Sequence, residues 1–294
     1  MGPMMRSDAS HALTTEFTPM TRCVAPVVPS PTMPTNALES RTRLRDRVLA
    51  GRVTFGAFAA VASPVAAELL GRAGLDWVIL DLEHSTLTET DLLAGIYALQ
   101  ATSATALVRV EEGTRLRIGR ALDFGAEGLM VPRLETVDQV ADSVSWMRFP
   151  PDGVRGLALS TRGAGMSSVA HADVQRLNAL PLGVFQVESP IAVANASAIA
   201  SIDGVDVLFV GPTDLSHSLG VPGEFGHPTF TAAIDAVAAA AHDHGKAAGI
   251  LLRGADDVPA YLDRGYTFIG LGSDGGWVAS GAATVLGMAK AFIG

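Results

Sequence analysis

Asp81, Glu83 and His84 close the run Trp77-Val78-Ile79-Leu80-Asp81-Leu82-Glu83-His84, where apolar residues give way to two acids and a histidine. A run this short reads as a buried strand rather than a helix, and a parallel strand that opens into a site ends in this way. A second pair, Gln186 and Glu188, lies at spacing two and so shares one side of its strand. An inward carboxylate on an apolar strand needs a compensating partner. Asp214, in Gly211-Pro212-Thr213-Asp214-Leu215-Ser216, could share a cation with Glu188. Two carboxylates completed by substrate and water oxygens suit Mg²⁺ or Mn²⁺. Zinc fits less well, because no cysteine ligand and only one well-placed histidine are at hand. The competing partner for Glu188 is Arg109, through a salt bridge.

His84 is the natural proton-transfer group, since imidazole titrates near neutral pH. It needs an orienting carboxylate, and Asp81 and Asp123 are the candidates. Asp123 ends an expected helix, where an acid opposes the helix dipole and so calls for a specific partner. The Gly211-Pro212 turn would present backbone N–H groups near Thr213 and Asp214, a cradle for a carboxylate. His217 lies close enough to be peripheral to the site. His242 and His244, at spacing two, share no helical face.

The elements that must position these groups alternate regularly. Strands are expected at Val53–Ala59, Trp77–Leu82, Ala106–Val110, Gly128–Pro132, Leu182–Val187, Val205–Val210, Ala247–Leu252 and Thr267–Leu271. Amphipathic segments lie between them, and a last helix is expected over Trp277–Phe292. About eight βα units favour an α/β fold, a closed (β/α)8 TIM barrel, whose site lies at the C-terminal strand ends. A doubly wound open sheet fits less well, since no Gly-rich dinucleotide fingerprint follows the first strand. Residues 37–294 form the expected barrel domain. Its N-terminal helix, within Leu38–Leu49, would plug the bottom of the domain through Leu44, Val48 and Leu49. Residues 1–36, rich in Pro, Ser, Thr and Met, are expected to be a flexible extension. The long segment from Phe149 to Leu182 is expected to form a mobile wall or lid over the substrate.

The 294-residue chain carries a net charge of −9, with 48% hydrophobic and 17% charged residues. That balance offers no basic patch for nucleic acid or an anionic membrane surface. Cys23 is the only cysteine, so no intrachain disulfide forms and a reducing cytoplasm is the expected compartment. No stretch reaches the roughly 18 apolar residues of a membrane span.

Taken together, Asp81-Leu82-Glu83-His84, Leu107-Val108-Arg109-Val110, Leu122-Asp123-Phe124-Gly125, Pro150-Pro151-Asp152-Gly153, Gln186-Val187-Glu188 and Gly211-Pro212-Thr213-Asp214 resemble the HpcH/HpaI aldolase family, in the expected order from about residue 51 onward. The resemblance implies a metal-dependent pyruvate aldolase that cleaves 4-hydroxy-2-oxo acids into pyruvate and an aldehyde. It implies Glu188 and Asp214 as ligands of Mg²⁺ or Mn²⁺ (Co²⁺ being possible) and Gln186, Gly211, Thr213 and Asp214 around the pyruvate. His84 would be the base, Asp123 the acid that raises its basicity, and Arg109 the cation that stabilises the enolate. It also implies a homohexamer, a trimer of dimers, with the last helix exchanged between neighbours. Two other functions share the residues: a citrate-synthase-like or acyl-CoA lyase using the same enolate, and a non-catalytic 2-oxo acid sensor. The acidic chain advertises no basic entrance for coenzyme A, and a sensor needs no base.

Overall fold

The computed structural model describes Gly2 and residues 44–293. The expected extension over residues 1–36 lies outside the described residues, and so do the first residues of the N-terminal helix. The described part of that helix, α1, spans residues 44–49. Eight parallel strands follow: β1 (Thr54–Ala59), β2 (Trp77–Asp81), β3 (Thr105–Arg109), β4 (Gly128–Val131), β5 (Leu182–Val187), β6 (Val207–Val210), β7 (Ala247–Leu251) and β8 (Tyr266–Ser273). Each pairs with the next and β8 pairs with β1, so the sheet closes into the expected barrel.

The outer helices are α2 (Pro64–Arg72), α3 (Glu89–Leu99), α4 (Arg115–Asp123), α5 (Val137–Met147), α6 (Pro190–Ala200), α8 (Pro228–Asp243), α9 (Val258–Asp263) and α10 (Asp274–Lys290), and a short α7 (Pro212–Ser218) follows β6. Their starts are written in the sequence. Thr88 and Thr136 form capping boxes with Asp91 and Gln139, and Ser63, Ser189 and Ser273 cap α2, α6 and α10. The N-terminal Asp274 of α10 is buried and accepts the backbone N–H of Ala60 at 2.9 Å, which ties α10 to the end of β1.

Two apolar layers hold the barrel. One lies between sheet and helices; the other fills the interior with Phe58, Trp77, Ile79, Leu107, Met130, Val184, Phe209 and Phe268. Trp77 and Phe268 stack with ring centroids 4.3 Å apart. Leu44 and Val48 of α1 belong to this interior cluster, so the helix does plug the barrel, whereas Leu49 is exposed.

The segment between Phe149 and Leu182 is not a lid. It leaves the C-terminal end of α5 and enters the N-terminal end of β5, so it belongs to the face opposite the strand C-termini. It builds its own small core from Phe149, Ala164, Val169, Val174, Leu177 and Leu180. Asn178 clamps it by accepting from the Phe149 N–H at 2.7 Å and donating to the Phe149 carbonyl at 3.0 Å.

The interior leaves no spare volume beside Trp77. A Cβ on Gly56 would collide with the indole ring. Gly56→Ala should therefore cost about 1–3 kcal/mol of stability by overpacking. Urea unfolding should show a lower midpoint with an unchanged slope.

Candidate active site

Register brings the first two groups together. Asp81 and Arg109 are cross-strand partners at the ends of β2 and β3. The Arg109 fork donates to both carboxylate oxygens of Asp81, Nε at 2.8 Å and Nη2 at 2.7 Å. A third contact runs from Nη1 to Glu83 Oε2 at 3.2 Å, and the guanidinium lies 4.9 Å from the Phe58 ring centroid. Burial works against the charge of Arg109, but Asp81, with Glu83 and Glu188, outweighs it and holds the group above its ordinary pKa. Arg109 forms its ion pairs with Asp81 and Glu83, not with Glu188.

Asp81 also shapes the turn that follows, accepting the backbone N–H of Glu83 at 3.0 Å and of His84 at 3.4 Å. It does not orient the imidazole. His84 projects into solvent with its side chain 61% exposed, and its Nε2 lies 3.7 Å from Glu83 Oε1. Glu83 is thus the acid beside His84 and a site residue that the search for an orienting carboxylate passed over. Its signal was spacing: two residues after Asp81, it continues the same side of the strand. Burial, opposed by Arg109 and His84, leaves the Glu83 carboxyl above its usual pKa.

Asp123 lies elsewhere in the protomer. It ends α4, at the base of the barrel, and accepts from Arg155 Nη2 at 2.7 Å. His84 stands at the opposite end.

Glu188 follows β5, and Gln186 donates to its Oε1 at 2.6 Å. Arg133, in the left-handed conformation at φ 56°, gives it a backbone hydrogen bond. Gly211 passes so close that a Cβ there would collide with Glu188 Oε1. Asp214, in the first turn of α7, lines a small cavity of about 100 Å³ together with Glu188 and Arg133. Burial, then the charges of Asp214 and Glu83, push the Glu188 carboxyl up to about 7 against the pull of Arg109.

A larger cavity of about 490 Å³ adjoins these groups. Asp81, His84, Arg109 and Thr213 line it, with Phe58, Phe225 and Arg253. Arg253 follows β7 directly, one residue past the Leu252 at which the apolar run ends; none of residues 149–181 reaches this cavity.

Among the described residues, no cluster of three or more His, Cys, Asp or Glu side chains is arranged to hold a metal. The two carboxylates Glu188 and Asp214 nevertheless fit a hard cation that takes its remaining oxygens from substrate and water. Gln186 Oε1 supports that fit, being buried and without a hydrogen-bond partner among the described residues. Gly211 leaves free the space that a side chain would fill beside Glu188.

The raised pKa fixes a pH dependence. The folded protein holds the Glu188 proton up to about 7, well above the ordinary 4.5. This contribution to stability is complete below the ordinary value and is lost as pH rises through the folded one. In metal-free protein, Glu188→Gln should therefore be more stable than the parent at pH 8, by up to about 3 kcal/mol. The two should converge as pH falls toward the ordinary carboxylate range, which urea denaturation at a series of pH values would read.

Comparison with known proteins places this arrangement. The family model of the HpcH/HpaI aldolase/citrate lyases matches residues 54–281. The 5-keto-4-deoxy-D-glucarate aldolase of Klebsiella pneumoniae is 39% identical over 232 residues, which cover 79% of this chain and 90% of that protein. An HpcH/HpaI aldolase/citrate lyase family protein from Burkholderia cenocepacia superposes with a TM-score of 0.81 at 34% identity, covering 85% of this chain and 99% of that one. The HpcH/HpaI aldolase of Desulfitobacterium hafniense gives 0.80 at 28% identity, covering 84% and 96%. With its closed barrel and acid-rich strand ends, the chain belongs to the HpcH/HpaI aldolase/citrate lyase family and so to the aldolase-type lyases.

Proposed function

We propose that this chain is a divalent-metal-dependent aldolase that reversibly cleaves 4-hydroxy-2-oxo acids into pyruvate and an aldehyde. The observation that carries this proposal is Glu188, a half-buried carboxyl beside two other acids, next to a Gln186 oxygen that has no partner among the described residues. A carboxylate so placed has the makings of a cation ligand. Glu188 and Asp214 would hold Mg²⁺ or Mn²⁺, with Co²⁺ an acceptable substitute. Such an ion supplies Lewis acidity to the carbonyl of the 2-oxo acid.

The chain's own residues divide the remaining work. Gln186, Thr213 and Asp214 bind the pyruvate half, the last two partly through N–H groups at the start of α7, beside Gly211. These N–H groups have no intrahelical acceptor, as in any first helical turn. His84 takes the proton of the C4 hydroxyl as the C3–C4 bond breaks, and the bonding pair becomes the enolate of pyruvate. Arg109 stabilises the charge that collects on the C2 oxygen. No Schiff base is involved: Lys246 and Lys290 are the only lysines, and Lys246 precedes β7 at the base of the barrel.

A homohexamer is part of the proposal. Helix α10 supports it, because Val278, Val285 and Met288 are at least 63% exposed and ask for cover by another subunit. Asp123, which pairs with Arg155, and His84 sit at opposite ends of one protomer, so Asp123 as the acid beside His84 belongs to the same proposal and would require a second copy of the chain.

A panel of 4-hydroxy-2-oxo acids tests the function. Pyruvate release should be abolished by EDTA and restored by Mg²⁺ or Mn²⁺; release that survives EDTA would contradict metal dependence. Arg109→Ala should lower kcat by about 10²–10³ and change metal affinity far less. A collapse of metal binding would instead make Arg109 a structural partner of the metal site.

A further inference from the structure

Resting on the metal-dependent reading, we infer that Arg133 sets how tightly Glu188 and Asp214 hold a divalent cation: its backbone N–H fixes Glu188, and its guanidinium repels the cation until an anionic 2-oxo acid shares the site. The link from β4 to α5 is short and fixed at both ends. Val131 closes β4, and the capping box of Thr136 and Gln139 opens α5. Gln139 Oε1 accepts the backbone N–H of Glu135 as well, at 2.9 Å.

Inside that link Arg133 takes the left-handed conformation, with φ 56°. A residue with a side chain enters this region at a steric cost that glycine escapes. The turn aims one N–H group, and its acceptor is the Glu188 carboxylate. Gln186 donates to the same carboxylate at 2.6 Å. Glu188 is thus held by a side chain of its own strand and by the backbone that follows β4, so its orientation is set before any cation binds.

The side chain adds what the turn does not need. Glycine would serve this backbone; arginine brings a charge. Arg133 lines the cavity of about 100 Å³ together with Glu135, Glu188 and Asp214, and it is the only cationic residue that does so among the described residues. Arg109 is matched by Asp81 and Glu83, whereas Arg133 forms no ion pair among the described residues. Its charge is felt at Glu83, where it joins Arg109 and His84 in opposing the effect of burial. An unmatched guanidinium beside two carboxylates repels a further cation that they take up. Arg133 is exposed, so water and salt reduce that repulsion without removing it. The repulsion is greatest for the cation alone and falls when an anionic substrate joins it. Cation and substrate therefore tighten each other's binding, by the same factor in both directions.

The test measures Mn²⁺ binding to full-length, metal-stripped protein by electron paramagnetic resonance, with and without saturating pyruvate. Without pyruvate, Arg133→Met should bind Mn²⁺ about 3–10-fold more tightly than the unaltered protein, the scale of one partly screened charge. With pyruvate the difference should narrow. Arg133→Gly should match Arg133→Met, because glycine keeps both the turn and the N–H. Arg133→Val removes the same charge, but a β-branched residue resists a positive φ. It should therefore bind Mn²⁺ about 10-fold more weakly than Arg133→Gly, the scale of one hydrogen bond to a charged group. Unchanged or weaker binding in Arg133→Met, a difference that pyruvate leaves as large, or equal binding by the glycine and valine variants overturns the inference and leaves metal dependence standing. If the valine variant fails to fold, the methionine and glycine variants still decide the role of the charge. Absence of Mn²⁺ binding in every form, the unaltered protein included, overturns the inference and the metal-dependent reading together.

Discussion

The pairing of Asp81 with Arg109 is the interaction on which the rest of the site depends. An arginine in the mouth of a parallel barrel is costly unless its charge is met at close range. Register supplies the match, because β2 and β3 align Asp81 with Arg109 and the fork closes on both carboxylate oxygens. With the guanidinium so fixed, Glu83 is drawn toward it, and Glu83 in turn lies next to His84. The same acid adds to the charge felt by Glu188 and helps keep that carboxyl near neutrality. One cross-strand pair thus organises a run of acids along the strand ends, and the proposed cation would balance that surplus of negative charge.

The barrel separates stability from chemistry by its two ends. At the base, Leu44 and Val48 close the interior, and the segment from Phe149 to Leu182 packs a core of its own. Asp123 and Arg155 meet there as well. At the top, the groups open onto space: His84 stands in solvent, and Asp81, Arg109 and Thr213 line the larger cavity. Open groups at the top above a packed base are the pattern expected of a working site on a stable frame.

Much of this was legible in the sequence because a parallel barrel marks each strand with a short apolar run and each helix start with a cap. All eight strands were located to within two residues or so at most ends, and Asp81, His84, Arg109, Glu188 and Asp214 all fall at strand C-termini or just beyond. Three things were not legible. The Asp81–Arg109 pair depends on the register between two strands, which neither segment contains alone. The length of the segment from Phe149 to Leu182 suggested a lid, but its position between a helix end and a strand start places it on the other face. Arg253 stands one residue past the apolar run that ends at Leu252, and a single cation after a strand gains meaning only once the fold sets it on the cavity that Asp81 and Arg109 also line.

The central claim is that these strand ends form a metal-supported enolate of pyruvate, and proton exchange at the pyruvate methyl group tests it without any assumption about the aldehyde. In D₂O, with Mg²⁺ or Mn²⁺, the methyl signal of pyruvate followed by proton NMR should disappear under the action of the protein, and EDTA should stop the loss. Pyruvate that binds without exchanging, or exchange that EDTA leaves untouched, would contradict the account.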